Sequence, residues 1–192
     1  IDSILELLKY FIGVVIVLFI HLFVVYLPLV KLIAKVNIIN FFSGLKQALL
    51  FAFSTSSSSA TIPITLNNLE KSFNVKKKVS SFTVPLGATI NMDGTAIMQG
   101  MATIFIANFY GIELIFTDFL TIILTAALAS IGTAGVPGVG MIMLGMVLNQ
   151  VGLPLEGIAI VMGVDRLLDM LRTSLNVAGD ATVTLLINKL EK

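Results

Sequence analysis

The chain has 192 residues, 57% of them hydrophobic and only 12% charged, with a mean hydropathy of +1.02. A soluble domain carries about 25% charged residues, so this chain cannot cover a globule with polar side chains, and a free-standing soluble enzyme is excluded. Twelve Lys and Arg against eleven Asp and Glu leave a net charge of +1, which offers no field for nucleic acid. The absence of Cys excludes disulfides, thiolate catalysis and Cys-based metal centres, and His21 stands alone without a second His for a His-based one.

The chain begins at Ile1 without a Met, and Asp2 and Glu6 replace the basic start of a signal peptide. It reads as the C-terminal part of a longer protein with N-terminal elements missing. Residues 7–33 are almost wholly apolar, and about 20 such residues span the ~30 Å of a bilayer core. A transmembrane helix is predicted there. His21 in its middle is either a neutral imidazole hydrogen-bonded within a helix bundle or a functional group.

Residues 44–53 read as a helical half-span, 54–60 (STSSSSA) as a polar tip, and 61–69 as the way back out. Each half is too short to cross, so a re-entrant hairpin is predicted. After a lysine-rich turn, 79–110 is a full span broken at Asn91-Met92-Asp93-Gly94-Thr95. The pattern then recurs: 119–129 is a half-span, 130–140 (SIGTAGVPGVG) a small-residue tip, 141–151 the return, and 153–190 a long polar helix. Paired interrupted segments point to a secondary-transporter site.

Loop charge orients the chain. With the first helix running inward, nine lysines (31, 35, 46, 71, 76, 77, 78, 189 and 192) fall inside and only Lys9 outside. The first hairpin then enters from the cytoplasm and the second from outside, so the two repeats are inverted. The expected fold is an all-α membrane protein: transmembrane helices plus two re-entrant helical hairpins in an inverted repeat. Three parts are expected, at 1–36, 44–110 and 118–190.

At about 100° per residue, Asp165, Asp169, Arg172, Asn176 and Asp180 fall within roughly 80° of arc. Intramembrane charges cost about 2.5–3.5 kcal/mol each, so these residues, with Asp93 and Arg166, are expected to face an aqueous or protein-lined cavity. Intrahelical pairs such as Asp169 with Arg172 are the simpler reading, but they leave Asn176 and Asp180 unexplained. At the break, Gly94 permits an unwound turn whose carbonyls, with Asn91 and Asp93, suit a hard cation such as Na⁺; a plain glycine kink is the alternative. Calcium is disfavoured with a single acidic residue in the turn. The serine tip offers N–H and hydroxyl groups to a carboxylate at a helix end. The glycine-rich tip offers a mobile gate. Either tip, taken alone, reads equally well as an ordinary loop.

The strings SSSSATIP, PLGATINMDGT, ASIGTAGVPG and VDRLLDMLRTSLNVAGD resemble the dicarboxylate/amino acid:cation symporter family, which includes archaeal aspartate and mammalian glutamate transporters. The resemblance covers essentially the whole chain. It implies the transport domain of an elevator-type transporter, a homotrimer formed through a scaffold absent from this chain, and a multi-pass location in the cell (plasma or inner) membrane. For the substrate it implies Asp169 at the amino group and Arg172 at the side-chain carboxylate, with Ser58, Thr95, Gly135, Val136 and Asn176 as further ligands. It implies one sodium ion at Gly87, Asn91, Asn176 and Asp180, a second at Thr89, Met92, Ser130, Ile131 and Thr133, and a third at Asp93 with Asn91.

Three departures stand out. Ser56 and Met170 occupy the positions where relatives carry a second Arg; Arg166 either substitutes for it or has a membrane-surface or structural role. Gln99 replaces the Glu linked to proton coupling in mammalian members. Asp180 favours sodium, whereas the Val164-Asp165-Arg166 string is also seen in proton-coupled relatives.

The expected function is sodium-coupled symport of acidic amino acids, with Na⁺ as coupling ion. The alternative is proton-coupled uptake of glutamate or C4-dicarboxylates, with H⁺ in its place. Four intramembrane Asp and two Arg sum to −2, and an anionic amino acid makes −3, so cations must accompany the substrate. An intramembrane protease is disfavoured because Val177-Ala178-Gly179 precedes Asp180 instead of Gly-x-Gly. A passive channel would conduct without substrate. The expected partners are an acidic amino acid and the lipid bilayer, not nucleic acid.

Overall fold

The computed structural model describes residues 2–191; Ile1 and Lys192, on which the chain-start reading and one of the nine inner lysines rest, lie outside the described residues. The helices are α1 (Asp2–His21), α2 (Ile38–Thr55), α3 (Ser58–Phe73), α4 (Lys77–Ile90), α5 (Asp93–Phe109), α6 (Phe116–Ile131), α7 (Val139–Gln150) and α8 (Gly157–Leu190). Among the described residues there is no strand.

The helix expected at 7–33 begins earlier and does not stay α-helical. Beyond His21 it widens into two π-helical turns, Leu22–Tyr26 and Leu29–Ile33, where the Leu27 N–H bonds to Leu22 O and the Ala34 N–H to Leu29 O. Such turns are rare and concentrate at functional sites.

The half-span expected at 44–53 is longer than the apolar run suggested. Asn37 caps α2 by accepting the Ile39 N–H at 2.8 Å, and the helix runs 18 residues. Among the described residues, Ile4–Ile33 and Ile38–Thr55 are the two segments long and apolar enough to cross a membrane. The serine tip shrinks to two residues. Ser56 closes α2 in the left-handed region (φ 51°), and the Ser57 hydroxyl caps α3 by accepting the Ala60 N–H at 3.1 Å. Serines are good N-caps, so the helix starts earlier than a polar run implies. The break expected at 91–95 is likewise only Asn91 and Met92, with Asp93 already in α5. The second tip narrows to 132–138.

α8 is the axis of the molecule. Its 34 residues, about 51 Å at ~1.5 Å per residue, touch α1, α2, α3, α4, α5 and α7. α2 pairs with α3 and α6 with α7 as helical hairpins. Leu168 of α8 is fully buried in one core cluster with Leu144, Phe41 and Met98, while Ile16, Phe23, Ile123 and Leu128 stay exposed on the outside. Apolar side chains on the outer face and polar ones inside fit a lipid-facing bundle.

α5 approaches α8 closely through Gly94. A Cβ there would stand 2.9 Å from the Arg172 carbonyl oxygen and 3.0 Å from Asn176 Oδ1. Gly94→Ala is expected to destabilise the fold by about 1–3 kcal/mol through overpacking, seen as a lower melting temperature in detergent. An unchanged melting temperature would contradict this contact.

Candidate functional site

Five α8 residues expected on one stripe are all buried: Asp165, Asp169, Arg172, Asn176 and Asp180. Arg166, beside them in sequence, is exposed on another face of α8, so it does not join the stripe. Without Arg166, the formal charge in and around the stripe is four carboxylates against one guanidinium, −3 rather than −2.

Arg172 Nη1 donates to Asp165 Oδ1 at 2.7 Å, and its Nε donates to Asp169 Oδ1 at 3.1 Å. The intrahelical pairing therefore exists, and it involves two aspartates. It does not reach the lower stripe. There the Asn91 side-chain amide donates to Asp180 Oδ1 at 2.9 Å. Among the described residues no Lys, Arg or His pairs with Asp180, although it is only 2% exposed. A buried carboxylate without a cationic side chain is costly, and a small hard cation would relieve it.

The break in α4–α5 supplies the other wall. The Gly94 N–H donates to Asn176 Oδ1 at 2.8 Å, and the Asn176 amide faces Thr95 Oγ1 at 3.4 Å. Gly87 lies against Asp180, where an added Cβ would meet Cγ at 2.9 Å. Both glycines are thus required by close approach.

The two tips meet over this wall. The Gly135 carbonyl accepts from the Ser57 hydroxyl at 2.7 Å and from the Ser59 N–H at 3.1 Å. The Gly138 N–H donates to Asp169 Oδ2 at 3.2 Å, and the Gln99 amide to the Gly140 carbonyl at 3.3 Å. Between tips, break and α8 lies a cleft of about 260 Å³, its mouth included. Ser58 and Thr95, Gly135 and Val136, and Asp169, Arg172 and Asn176 all line it.

The three expected ion sets fare differently. Gly87, Asn91 and Asp180 come together, while Asn176 turns its oxygen to Gly94. Met92 and Thr133 line the cleft and Ser130 is buried, but the side chains of Thr89 and Ile131 are exposed. Asp93 Oδ2 pairs with His21 Nε2 at 3.0 Å and accepts from the Tyr26 hydroxyl at 2.7 Å. Among the described residues no three His, Asp or Glu side chains converge in a metal-binding cluster. Any cation here would rest largely on carbonyl, amide and single carboxylate oxygens.

His21 is thus hydrogen-bonded within the bundle, to a charged partner. Tyr26 escapes sequence reasoning because in an α-helix residues five apart diverge by about 140°. The π-helical turn brings the two rings within 4.8 Å. Ser57 and Asp165 were visible only as members of a serine run and a polar stripe.

Similar proteins extend well beyond this chain. An excitatory amino acid transporter of Caenorhabditis elegans is 49% identical over 156 residues, covering 81% of this chain and 31% of that protein. Human excitatory amino acid transporter 1 is 47% identical over 176 residues, covering 92% of this chain and 32% of its own length. Mouse excitatory amino acid transporter 3 is 44% identical over 173 residues, 90% of this chain and 33% of its own. The chain thus spans about a third of the length of the curated relatives it matches. Residues 1–190 match the sodium:dicarboxylate symporter family, and the chain belongs to that family.

Proposed function

We propose that this chain forms the substrate- and ion-binding part of a sodium-coupled symporter for acidic amino acids, aspartate or glutamate. One observation carries the reading: seven residues scattered from Ser58 to Asn176 meet in one cleft, with a buried guanidinium and carboxylate at its wall. Asp169 receives the substrate ammonium group and Arg172 its side-chain carboxylate. Guanidinium–carboxylate pairing is directional and strong, and a neutral amino acid would leave Arg172 without that partner. Ser58, Thr95, Gly135, Val136 and Asn176 fix the remainder of the ligand.

Coupling follows from charge. An acidic amino acid entering a region already at −3 meets repulsion, and bound Na⁺ removes it. Each ligand then raises the affinity of the other by the same factor. Asp180 with Gly87, Asn91 and Asn176 provides one ion position. Met92 and Thr133 with Thr89, Ser130 and Ile131 form a second, and Asp93 with Asn91 a third. The names of the relatives, excitatory amino acid transporters, and of the family, a sodium symporter family, support both substrate class and ion.

In the bilayer, residues 1–36 form a transmembrane helix, 44–110 the first re-entrant hairpin and broken helix, and 118–190 the second hairpin and polar last helix. The two hairpins enter from opposite sides as an inverted repeat. The unit moves as an elevator against a scaffold that also holds a homotrimer together, in the cell membrane.

Uptake of labelled aspartate and glutamate by the full-length protein in liposomes is expected to require an inward sodium gradient. Uptake that persists without sodium and follows an imposed pH gradient would establish proton coupling instead. Arg172→Thr is expected to reduce aspartate affinity at least 100-fold, measured by uptake inhibition; an unchanged affinity removes its assigned role. Asp180→Asn is expected to raise the half-saturating sodium concentration at least tenfold, with sodium titration of uptake as the check.

A further inference from the structure

Two aspartates hold Arg172, and only one of them lines the cleft. Asp169 and Arg172 both face it, whereas Asp165 lies one turn further along α8, behind the guanidinium. Positions 165 and 172 share nearly one azimuth, two turns apart. Helical side chains lean toward the N-terminus, so Arg172 lies back along α8 onto both carboxylates.

The fork is divided between them. Nε donates to Asp169 Oδ1 at 3.1 Å, while Nη1 and Nη2 reach the two oxygens of Asp165 at 2.7 and 3.5 Å. A guanidinium has five N–H groups, and these contacts occupy three. On the free side, Nη2 lies 3.3 Å from where a Cβ on Gly140 would be. That missing side chain leaves an approach to Nη2.

We propose that Asp165 is the positioning residue of the cleft: it anchors the far end of the Arg172 fork, so that Asp169 Oδ2, which accepts the Gly138 N–H at 3.2 Å, stays clear of the guanidinium for an ammonium group and Nη2 faces the ligand's side-chain carboxylate. The inference rests on the substrate assignment proposed above. Without the Asp165 carboxylate, the far end of a buried guanidinium is unpaired. Asp169, three residues away, is the remaining carboxylate at hand. Arg172 then closes onto it with two bonds, and the pair that should receive the ligand neutralises itself. Asp165 also sets how far the fork projects, and so the length of acid that fits.

The test uses the full-length protein in liposomes under a saturating sodium gradient, with aspartate and glutamate affinities read from inhibition of labelled uptake. Asp165→Asn is expected to weaken both acids at least tenfold. Asp165→Glu keeps the charge but lengthens the anchor by one methylene; it is expected to recover most of the aspartate affinity and to shift the aspartate-over-glutamate ratio at least threefold toward the shorter acid. A role in stability alone would lower the melting temperature and leave that ratio unchanged. The proposal is overturned if Asp165→Asn binds aspartate within twofold of the parent. It is also overturned if Asp165→Glu leaves the ratio unmoved, which decides the matter even where Asp165→Asn does not fold. A parent protein that takes up neither acid overturns the functional reading itself, an outcome distinct from these.

Discussion

A guanidinium and three carboxylates on one helix of so apolar a chain can persist only if that helix is sheltered from lipid on nearly every side. That requirement organises the structure. α8 carries Asp165, Asp169, Arg172, Asn176 and Asp180, and six other helices pack around it. Satisfying those groups from within one helix is possible only for the upper three, where i, i+3 and i, i+7 spacing lets Arg172 reach both aspartates. The lower two depend on the broken turn of α4–α5, whose amides and side chains reach across to them. Interrupting that helix is therefore the counterpart of burying charge on its neighbour.

Small residues set how close these surfaces come. Gly87, Gly94 and Gly135 each bring backbone to within contact of a polar group where a methyl would intrude. The polar network and the tight packing are one feature: amides and carbonyls can serve as hydrogen-bond partners here because no side chain stands in front of them. The exposed hydrophobic faces of α1 and α6 are the other half of the same arrangement, turned outward where apolar surface costs nothing in a membrane.

Much of this was legible in the sequence for a simple reason: in a chain with few charges, each charge is informative. The polar stripe on α8, the two tips and the break at Asn91 followed from composition and period. Helix ends were less legible, since the Ser57 cap lets α3 begin inside the serine run and the Asn37 cap starts α2 well before residue 44. The place of Arg166 was not decided by the sequence, because insertion cost identifies a charge that needs shelter without saying which face of the helix it occupies. The Tyr26–Asp93 bond was invisible, because a π-helical turn changes which residues share a face and leaves no compositional trace.

The position of α8 after every helix that it touches has a consequence for biosynthesis. A segment with three aspartates and two arginines is poorly stable alone in lipid, yet during translation it emerges last among these elements. By then α2 to α5 can already present the amides of Asn91 and Gly94, and α7 the glycine beside Arg172, Gly140. The charged helix therefore enters a prepared polar seam instead of hydrocarbon. The cleft comes into being only at that final step, so a chain stalled before α8 would hold both hairpins and yet have no site.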